Sequence, residues 1–306
     1  QQNVLAAAEQ AARGVRIHAL TITDNPGGNP AILAGCLGAE ILRLGIEPLV
    51  HFTCKDKNRN QIESELYALD RAEVRNLMVM SGDYPATGFQ GRPAPVFDLD
   101  PIHVFELIVQ MNRGLEYPGL KGTVRHQKSE FFPGAAVSPF KATEAEQMVQ
   151  YFKLRKKIGA GAQFVVTQLG YDARKFHEAL QFMRLGGLDV PLVGNIYVLP
   201  FGAAKLMNQN RIPGCVVTDK LMMDLDREKT EPDKGVKARL LRAARMYAFM
   251  KGMGFNGVHI GGHNLKYEEV EEIIVQGESL TPVWPELIAH FDYPQPDGFY
   301  LYERDP

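Results

Sequence analysis

The sequence Asn-Leu-Met-Val-Met-Ser-Gly-Asp-Tyr-Pro at residues 76–85 decides how the rest of the chain is interpreted. Its apolar run, residues 77–80, is typical of a fully buried strand. The run ends at Ser81, Gly82 and the carboxylate of Asp83, and Pro85 prevents a strand from continuing. Buried strands that end in a charge carry the chemistry of barrels and open α/β sheets. We therefore expect a functional strand end here, with a simple Gly-Asp turn as the alternative.

The composition favours a globular protein with a small-molecule ligand. The chain has 306 residues, with 34 basic and 36 acidic side chains, and its pI is near 6.5. Because these charges balance, neither nucleic acid nor an anionic membrane is expected as a partner. The cysteines are widely spaced and show no metal-ligand spacing, which indicates reduced thiols in a cytoplasmic protein without a metal site. No apolar run approaches the roughly 20 residues of a membrane span.

Strand and helix patterns alternate along the chain. An alanine-rich helix at residues 3–13 is followed by seven strands, each linked to the next through a helix. The predicted strands are residues 15–23, 48–53, 77–80, 132–137, 163–167, 191–199 and 257–260. Residues 211–233 form a less regular region, whose charge run at 224–233 is typical of a solvated loop and helix end.

This alternation predicts an α/β fold, a (β/α)8 TIM barrel, in which residues 1–306 form one barrel domain with C-terminal helices. A closed barrel of this kind has eight strands, whereas the patterns indicate seven. We therefore expect that the first strand is missing from the N-terminus of this sequence. An intact mass above the value calculated from these residues would support that expectation.

The carboxyl ends of barrel strands are where functional groups collect. In this chain those ends carry a single carboxylate together with hydroxyl, thiol, amide and imidazole groups. The residues concerned are Thr21, Thr23, His51, Cys54, Ser81, Asp83, Ser138, Thr167, Gln168, Asn195, Tyr197, His259 and His263. Such a set is poor for hydrolysis and contains neither a serine-histidine-aspartate elbow nor a zinc motif. It suits a heteroaromatic ligand with amide-like edges, such as a flavin or a pterin.

Four motifs resemble the methylenetetrahydrofolate reductase family in their order and approximate spacing. They are His-Phe-Thr-Cys at 51–54, Ser-Gly-Asp-Tyr-Pro at 81–85, Leu-Arg-Lys-Lys-Ile-Gly-Ala-Gly-Ala at 154–162 and Val-Thr-Gln-Leu-Gly-Tyr-Asp at 166–172. The resemblance runs from about residue 15 to 199 and continues weakly to the end. It implies a flavin-dependent (β/α)8 barrel that reduces methylenetetrahydrofolate to methyltetrahydrofolate. Hydride would pass from NAD(P)H to the flavin and then to the folate.

The resemblance also implies roles for individual residues. Asp83 would be the catalytic group between flavin and folate, where an anion stabilises the iminium cation that accepts the hydride. Gln168 would bind the pterin of the folate substrate together with Asp83. The implied flavin contacts are Thr23, His51, Met80, Ser81, Gly82, Asp83, Phe97, Asp98, Ser138, Lys156 and Lys157. FAD is the expected flavin, with FMN as the alternative.

Two departures from the family leave alternatives open. The family's proton donor is a glutamate on the first barrel strand. Because that strand is expected to be missing from this sequence, the resemblance names no general acid here. The family also has an aromatic, histidine-containing segment where this chain has Ala-Val-Ser-Pro-Phe-Lys at 136–141. An electron-transfer partner protein is therefore the alternative to NAD(P)H, and a pterin-binding methyltransferase is the non-redox alternative. The expected assembly is a homo-oligomer.

Overall fold

A computed structural model describes residues 2–303 of the chain. Its strands are β1 (Ala19–Ile22), β2 (Glu47–Thr53), β3 (Asn76–Met80), β4 (Glu116–Gly119), β5 (Gly122–Arg125), β6 (Phe132–Val137), β7 (Phe164–Thr167), β8 (Leu192–Val198) and β9 (Gly257–Gly262). Within the described residues, seven of these form one sheet in the order β1-β2-β3-β6-β7-β8-β9. The registers of its paired strands are parallel, whereas β4 and β5 form a separate antiparallel hairpin.

The chain has eleven α-helices within its described residues. They are α1 (Gln2–Arg13), α2 (Ala34–Arg43), α3 (Arg59–Arg71), α4 (Pro101–Arg113), α5 (Glu144–Gly159), α6 (Ala173–Leu185), α7 (Phe201–Asn208), α8 (Asp219–Glu228), α9 (Val236–Met253), α10 (Tyr267–Leu280) and α11 (Trp284–Leu287). Of these, α2 to α9 lie between successive strands of the parallel sheet, α1 precedes β1, and α10 and α11 follow β9. This alternation confirms the predicted α/β class and a TIM-barrel-like fold. Over the described range, none of the helices combines the length and the apolar character needed to cross a membrane.

Two compact units divide the chain. Unit 1 contains the residues up to Ala136 and the segment Arg155–Gln163, and unit 2 contains Val137–Leu154 and the residues from Phe164 onward. Each unit is described by itself below. The single domain over residues 1–306 stays a prediction.

In unit 1, β2 alternates between buried and half-buried side chains from Pro48 to Phe52. Val50 and Phe52 of β2 are fully buried, and Gly38 of α2 lies so close that a Cβ there would be 2.8 Å from Val50 Cγ2. His51 and Met80 are half-buried and belong to the opposite face, because successive side chains of a strand alternate. The face that α2 covers is therefore part of the core, whereas the opposite face combines half-buried residues with buried ones such as Met78.

Unit 2 repeats this division. Ile196 and Gly194 of β8 are buried, and a Cβ on the glycine would lie 2.3 Å from Met250 Sδ of α9. Asn195 and Tyr197 alternate with them and are half-buried. The polar side chains of β8 thus lie on the face away from α9.

Differences from the predicted elements have local causes. β1 begins at Ala19 and not at residue 15, because Ala19 pairs with Glu47, the first residue of β2. The region 211–233 was predicted to be less regular, with a loop and helix end at 224–233, and the prediction missed that a ten-residue helix, α8, begins at Asp219. Thr218 caps α8 by accepting a hydrogen bond from Leu221 N–H, and Leu225 is buried one turn later. The β4–β5 hairpin is almost entirely exposed and therefore has no apolar alternation to reveal it.

Candidate active site at the carboxyl ends of the strands

The end of β3 presents Asp83 on a sharp turn. Gly82 has a φ of +83°, and a Cβ there would lie 2.8 Å from Lys55 Cδ and 2.9 Å from Thr53 Cβ. Only glycine fits both this backbone conformation and this contact. Ser81 and Asp83 on either side are exposed. Among residues 2–303, no hydrogen bond or ion pair engages the Asp83 carboxylate, so its charge is available to a ligand.

A second carboxylate, which the sequence patterns did not reveal, lies just after β1. Asp24 is 5% exposed and accepts hydrogen bonds from Thr53 N–H at 3.2 Å and Thr53 Oγ1 at 2.7 Å. Lys57 Nζ lies 3.0 Å from Asp24 Oδ2 and 2.9 Å from Glu65 Oε2. These three side chains form a buried ionic triad. The Lys-Asp-Lys run at residues 55–57, just after β2, is the sequence feature that could have indicated a cation at this strand end.

The pKa values within the ionic triad separate its two carboxylates. Burial raises the pKa of Asp24, but the Lys57 ammonium and the hydrogen bonds from Thr53 outweigh burial and lower it overall. Burial raises the pKa of Glu65, and here the attraction of Lys57 does not compensate. Asp24 is therefore the member of the triad that Lys57 keeps charged.

Lys55 ties the loop after β1 to the loop after β3. It is 1% exposed, its stem packs against the glycine of the β3 turn, and its Nζ donates to the Asn25 carbonyl oxygen at 2.5 Å. Ala86 N–H donates to the Gly28 carbonyl oxygen at 2.8 Å. A Cβ at Gly28, whose φ is +74°, would lie 2.1 Å from Tyr84 O, so the two loops approach through this glycine. Lys55 and the loop after β1 therefore both support the turn that carries Asp83.

Phe97 and Asp98, two of the predicted flavin contacts, close the long loop after β3. Asp98 accepts from the backbone N–H and Nε of Arg59, each at 2.9 Å, and from its Nη2 at 3.1 Å. These hydrogen bonds hold the pKa of Asp98 at about 2. The Phe97 ring meets the exposed Tyr84 ring edge-on at 5.4 Å between centroids. Both Asp98 oxygens thus anchor the loop.

The other predicted residues of β1 to β3 share one face of unit 1. His51 is the register partner of Met78, and Met80 lies two residues further along the same strand. Thr23 is exposed and follows Ile22, whose register partner immediately precedes His51. Thr23 and His51 therefore lie at the same level of the sheet, with Met80 one step closer to its carboxyl end.

The two predicted lysines lie in the last turn of α5. Lys157 Nζ donates to the Ala136 carbonyl oxygen at 2.8 Å, which directs its ammonium to the end of β6. Lys156 is exposed. Ser138 follows β6, and its Oγ is buried without a hydrogen-bond partner in the described part of the chain.

Gln168 follows β7 in unit 2 with a defined amide orientation. Its backbone N–H donates to Val137 O at 2.6 Å, and its Oε1 accepts from Leu169 N–H at 2.8 Å. The donor end, Nε2, lies beside Gly214, where a Cβ would be 3.5 Å away. Because Leu169 N–H holds Oε1, the Nε2 donor of Gln168 lies on the other side of the amide, away from the Leu169 backbone.

A model of the family described as methylenetetrahydrofolate reductase matches residues 2–277. The chain belongs to the methylenetetrahydrofolate reductase family. The predicted resemblance is thereby confirmed.

Two members of the methylenetetrahydrofolate reductase family illustrate the similarity. Methylenetetrahydrofolate reductase 1 of Schizosaccharomyces pombe is 24% identical over 246 residues, which cover 78% of this chain and 37% of that protein. Methylenetetrahydrofolate reductase 2 of Saccharomyces cerevisiae is 24% identical over 170 residues, covering 53% of this chain and 25% of that protein. The chain therefore spans between a quarter and two fifths of the length of these relatives.

A solved structure shares the fold. It is an uncharacterized protein from Clostridium thermocellum that binds two copies of 5-methyl-5,6,7,8-tetrahydrofolic acid. The two chains align with a TM-score of 0.59 at 11% identity, covering 92% of this chain and 91% of that one. At this identity the likeness concerns the fold.

Proposed function

We propose that this chain is a flavin-dependent reductase that converts 5,10-methylenetetrahydrofolate to 5-methyltetrahydrofolate, with NAD(P)H as the source of electrons. The family match over residues 2–277 carries the proposal. Relatives named for NADPH in Caenorhabditis elegans and for NADH in Arabidopsis thaliana support the choice of reductant. The folate bound by the Clostridium thermocellum protein supports the ligand class.

Two observations support FAD, or FMN in its place, as the bound group. The buried Ser138 Oγ has no partner within residues 2–303 and can still form a hydrogen bond, while Ser81 is exposed beside a braced turn. A bound flavin supplies hydride transfer between the pyridine nucleotide and the folate. The proposed contacts are Thr23, His51, Met80, Ser81, Gly82, Asp83, Phe97, Asp98, Ser138, Lys156 and Lys157. Of these, Asp98 would act through the loop that it anchors to Arg59.

Asp83 is proposed to supply the electrostatic part of catalysis. Reduction adds a hydride to the methylene carbon of the substrate's iminium form, and the positive charge on its nitrogen is lost. An anion placed beside that charge lowers the energy of forming the cation. Asp83 is exposed and not neutralised by a described cation, whereas Asp24 is already bonded to Thr53 and Lys57. Asp83 is therefore the carboxylate that can act on a ligand.

Gln168 is proposed to bind the pterin ring. Its Oε1 is occupied by Leu169 N–H, so the side chain offers Nε2 as a donor. A pterin carries ring carbonyl and nitrogen acceptors that such a donor can bind. Together with Asp83, Gln168 would orient the folate.

Absorption spectroscopy of the purified protein tests this proposal. We expect a flavin band at about 450 nm that disappears with NADH or NADPH under anaerobic conditions and returns when methylenetetrahydrofolate is added. A colourless protein that still binds folate would favour the methyltransferase alternative. A band that responds to dithionite but to neither pyridine nucleotide would favour a partner protein as electron donor. A flavin that folate does not reoxidise would overturn the proposal.

A further inference from the structure

Asn195 and His259 form a polar pair in unit 2 that none of the four motifs includes. They are register partners on the parallel strands β8 and β9, so their side chains lie on the same face of the sheet. His259 Nδ1 lies 3.0 Å from Asn195 Oδ1. The Asn195 backbone N–H in turn donates to Thr167 Oγ1 at 3.0 Å, which connects the pair to the end of β7.

The contact with Asn195 determines which nitrogen of His259 carries a proton. An amide oxygen can only accept, so Nδ1 must be the donor. Burial lowers the pKa of His259, which favours the neutral ring. In a neutral imidazole protonated at Nδ1, Nε2 is an unprotonated hydrogen-bond acceptor.

The His259 ring has a glycine as its neighbour on the same face of β9. His259 is half-buried, as are the other residues of β9. A Cβ at Gly261 would lie 3.6 Å from His259 Cε1, the ring atom between the two nitrogens. Because Gly261 has no side chain, it does not cover Cε1 or the neighbouring Nε2.

The register places Gln168 at the same level as this pair. Val166 of β7 pairs with Val193 of β8, and Gln168 and Asn195 each follow two residues later. His259 is then opposite Asn195 on the next strand. Three successive strands thus offer an amide donor from Gln168 and an imidazole acceptor from His259. A donor and an acceptor at one level, with one strand between them, complement a heteroaromatic ring system that carries both a carbonyl group and an N–H group.

We propose that His259 binds the pterin ring by accepting a hydrogen bond at Nε2 from a ring N–H group, and that Asn195 holds the imidazole in the required tautomer. This inference rests on the proposed folate substrate. It adds an acceptor to the donor that Gln168 provides, and so distinguishes the pterin edge from rings that have only acceptors.

Three substitutions of His259 separate ligand binding from strand packing. Gln places an amide near the position of Nε2, Asn places one near the position of Nδ1, and Phe keeps the ring volume without either nitrogen. We expect His259→Phe and His259→Asn to weaken binding of 5-methyltetrahydrofolate by about tenfold, and His259→Gln to stay within about threefold of wild type. Isothermal titration calorimetry of the purified protein measures the affinity, and the melting temperature is recorded for each variant.

Two further variants complete the experiment. Asn195→Asp keeps a hydrogen bond to Nδ1 but favours the protonated ring, so Nε2 becomes a donor, and binding should again weaken by about tenfold. His290→Phe changes an exposed histidine of unit 2 that does not follow a strand, and it should leave the affinity unchanged. Wild-type affinity in His259→Phe or in His259→Asn, whatever its melting temperature, would overturn the inference and leave a structural pair. Absence of binding in the wild-type protein would instead overturn the proposed function, and this inference with it.

Discussion

Two aspartates follow strands of unit 1, and they differ in almost every physical respect. Asp24 after β1 is 5% exposed and bonded to Thr53 and Lys57, whereas Asp83 after β3 is exposed and bonded to none of the described residues. Both occur in sequences rich in turn-forming residues. The comparison shows that a carboxylate at a strand end is not functional by position alone. The cation beside it decides whether its charge is used within the fold or is available to a ligand.

The largest effect should come from removing the cation of the ionic triad. Lys57→Met leaves Asp24 and Glu65 buried without a counter-ion, so we expect the free energy of unfolding to fall by about 3–5 kcal/mol. Urea unfolding followed by circular dichroism measures it. Lys121→Met, on the exposed turn of the β4–β5 hairpin, is the matched control and should change stability little. Similar stabilities of the two variants would mean that the triad does not stabilise unit 1.

A smaller and pH-dependent effect is expected for Asp24→Asn. At pH 7 it should lower the free energy of unfolding by about 2 kcal/mol, the value for hydrogen bonds to a charged group. Because the pKa of Asp24 is lowered in the folded protein, its contribution is present above the ordinary value of 3.8 and is lost as the pH falls through the folded pKa. Urea midpoints of wild type and variant should therefore converge below about pH 3.8. A difference that is the same at pH 7 and pH 3 would contradict the assignment.

The smallest effect concerns the brace under Asp83. Gly82→Ala and Gly45→Ala both place alanine at a positive φ, +83° and +92°, at a cost of about 1–2 kcal/mol. A Cβ at Gly45 meets nothing within 4 Å, whereas one at Gly82 meets Lys55 and Thr53. Gly82→Ala should therefore be less stable than Gly45→Ala by about 1 kcal/mol in urea unfolding. Equal losses would show that Lys55 does not support the turn.

Local patterns were sufficient to predict most of the sheet. β6 was predicted with its observed bounds, Phe132–Val137, because an apolar run lies between Glu130 and Ser138. α8 was missed because its charges dominate, although the Thr218 cap and the spacing of Leu221 and Leu225 were present. The cap and the apolar spacing outweighed the charge run because they bury one side of the helix.

The site was less predictable because its bonds connect distant parts of the chain. Lys57 lies 33 residues from Asp24, and nothing near Asp24 in the sequence distinguishes it from an ordinary turn residue. The contact between Asn195 and His259 depends on strand register, which motifs do not specify. The position of Asp83 after a buried strand, by contrast, was predicted from the apolar run that precedes it. The positions of single residues at strand ends were thus predictable, whereas the contacts between residues that are distant in the sequence were not.

The most direct test of the central claim is the rate at which methylenetetrahydrofolate reoxidises the reduced flavin in Asp83→Asn, measured in a single turnover by stopped flow. The flavin content and urea midpoint should match those of wild type, because Asp83 makes no described contact that the substitution breaks. We predict a rate lower by about tenfold or more, since one electrostatic contact of about 1.4 kcal/mol in the transition state is lost. A rate equal to that of wild type would contradict the account and return Asp83 to the role of a turn residue.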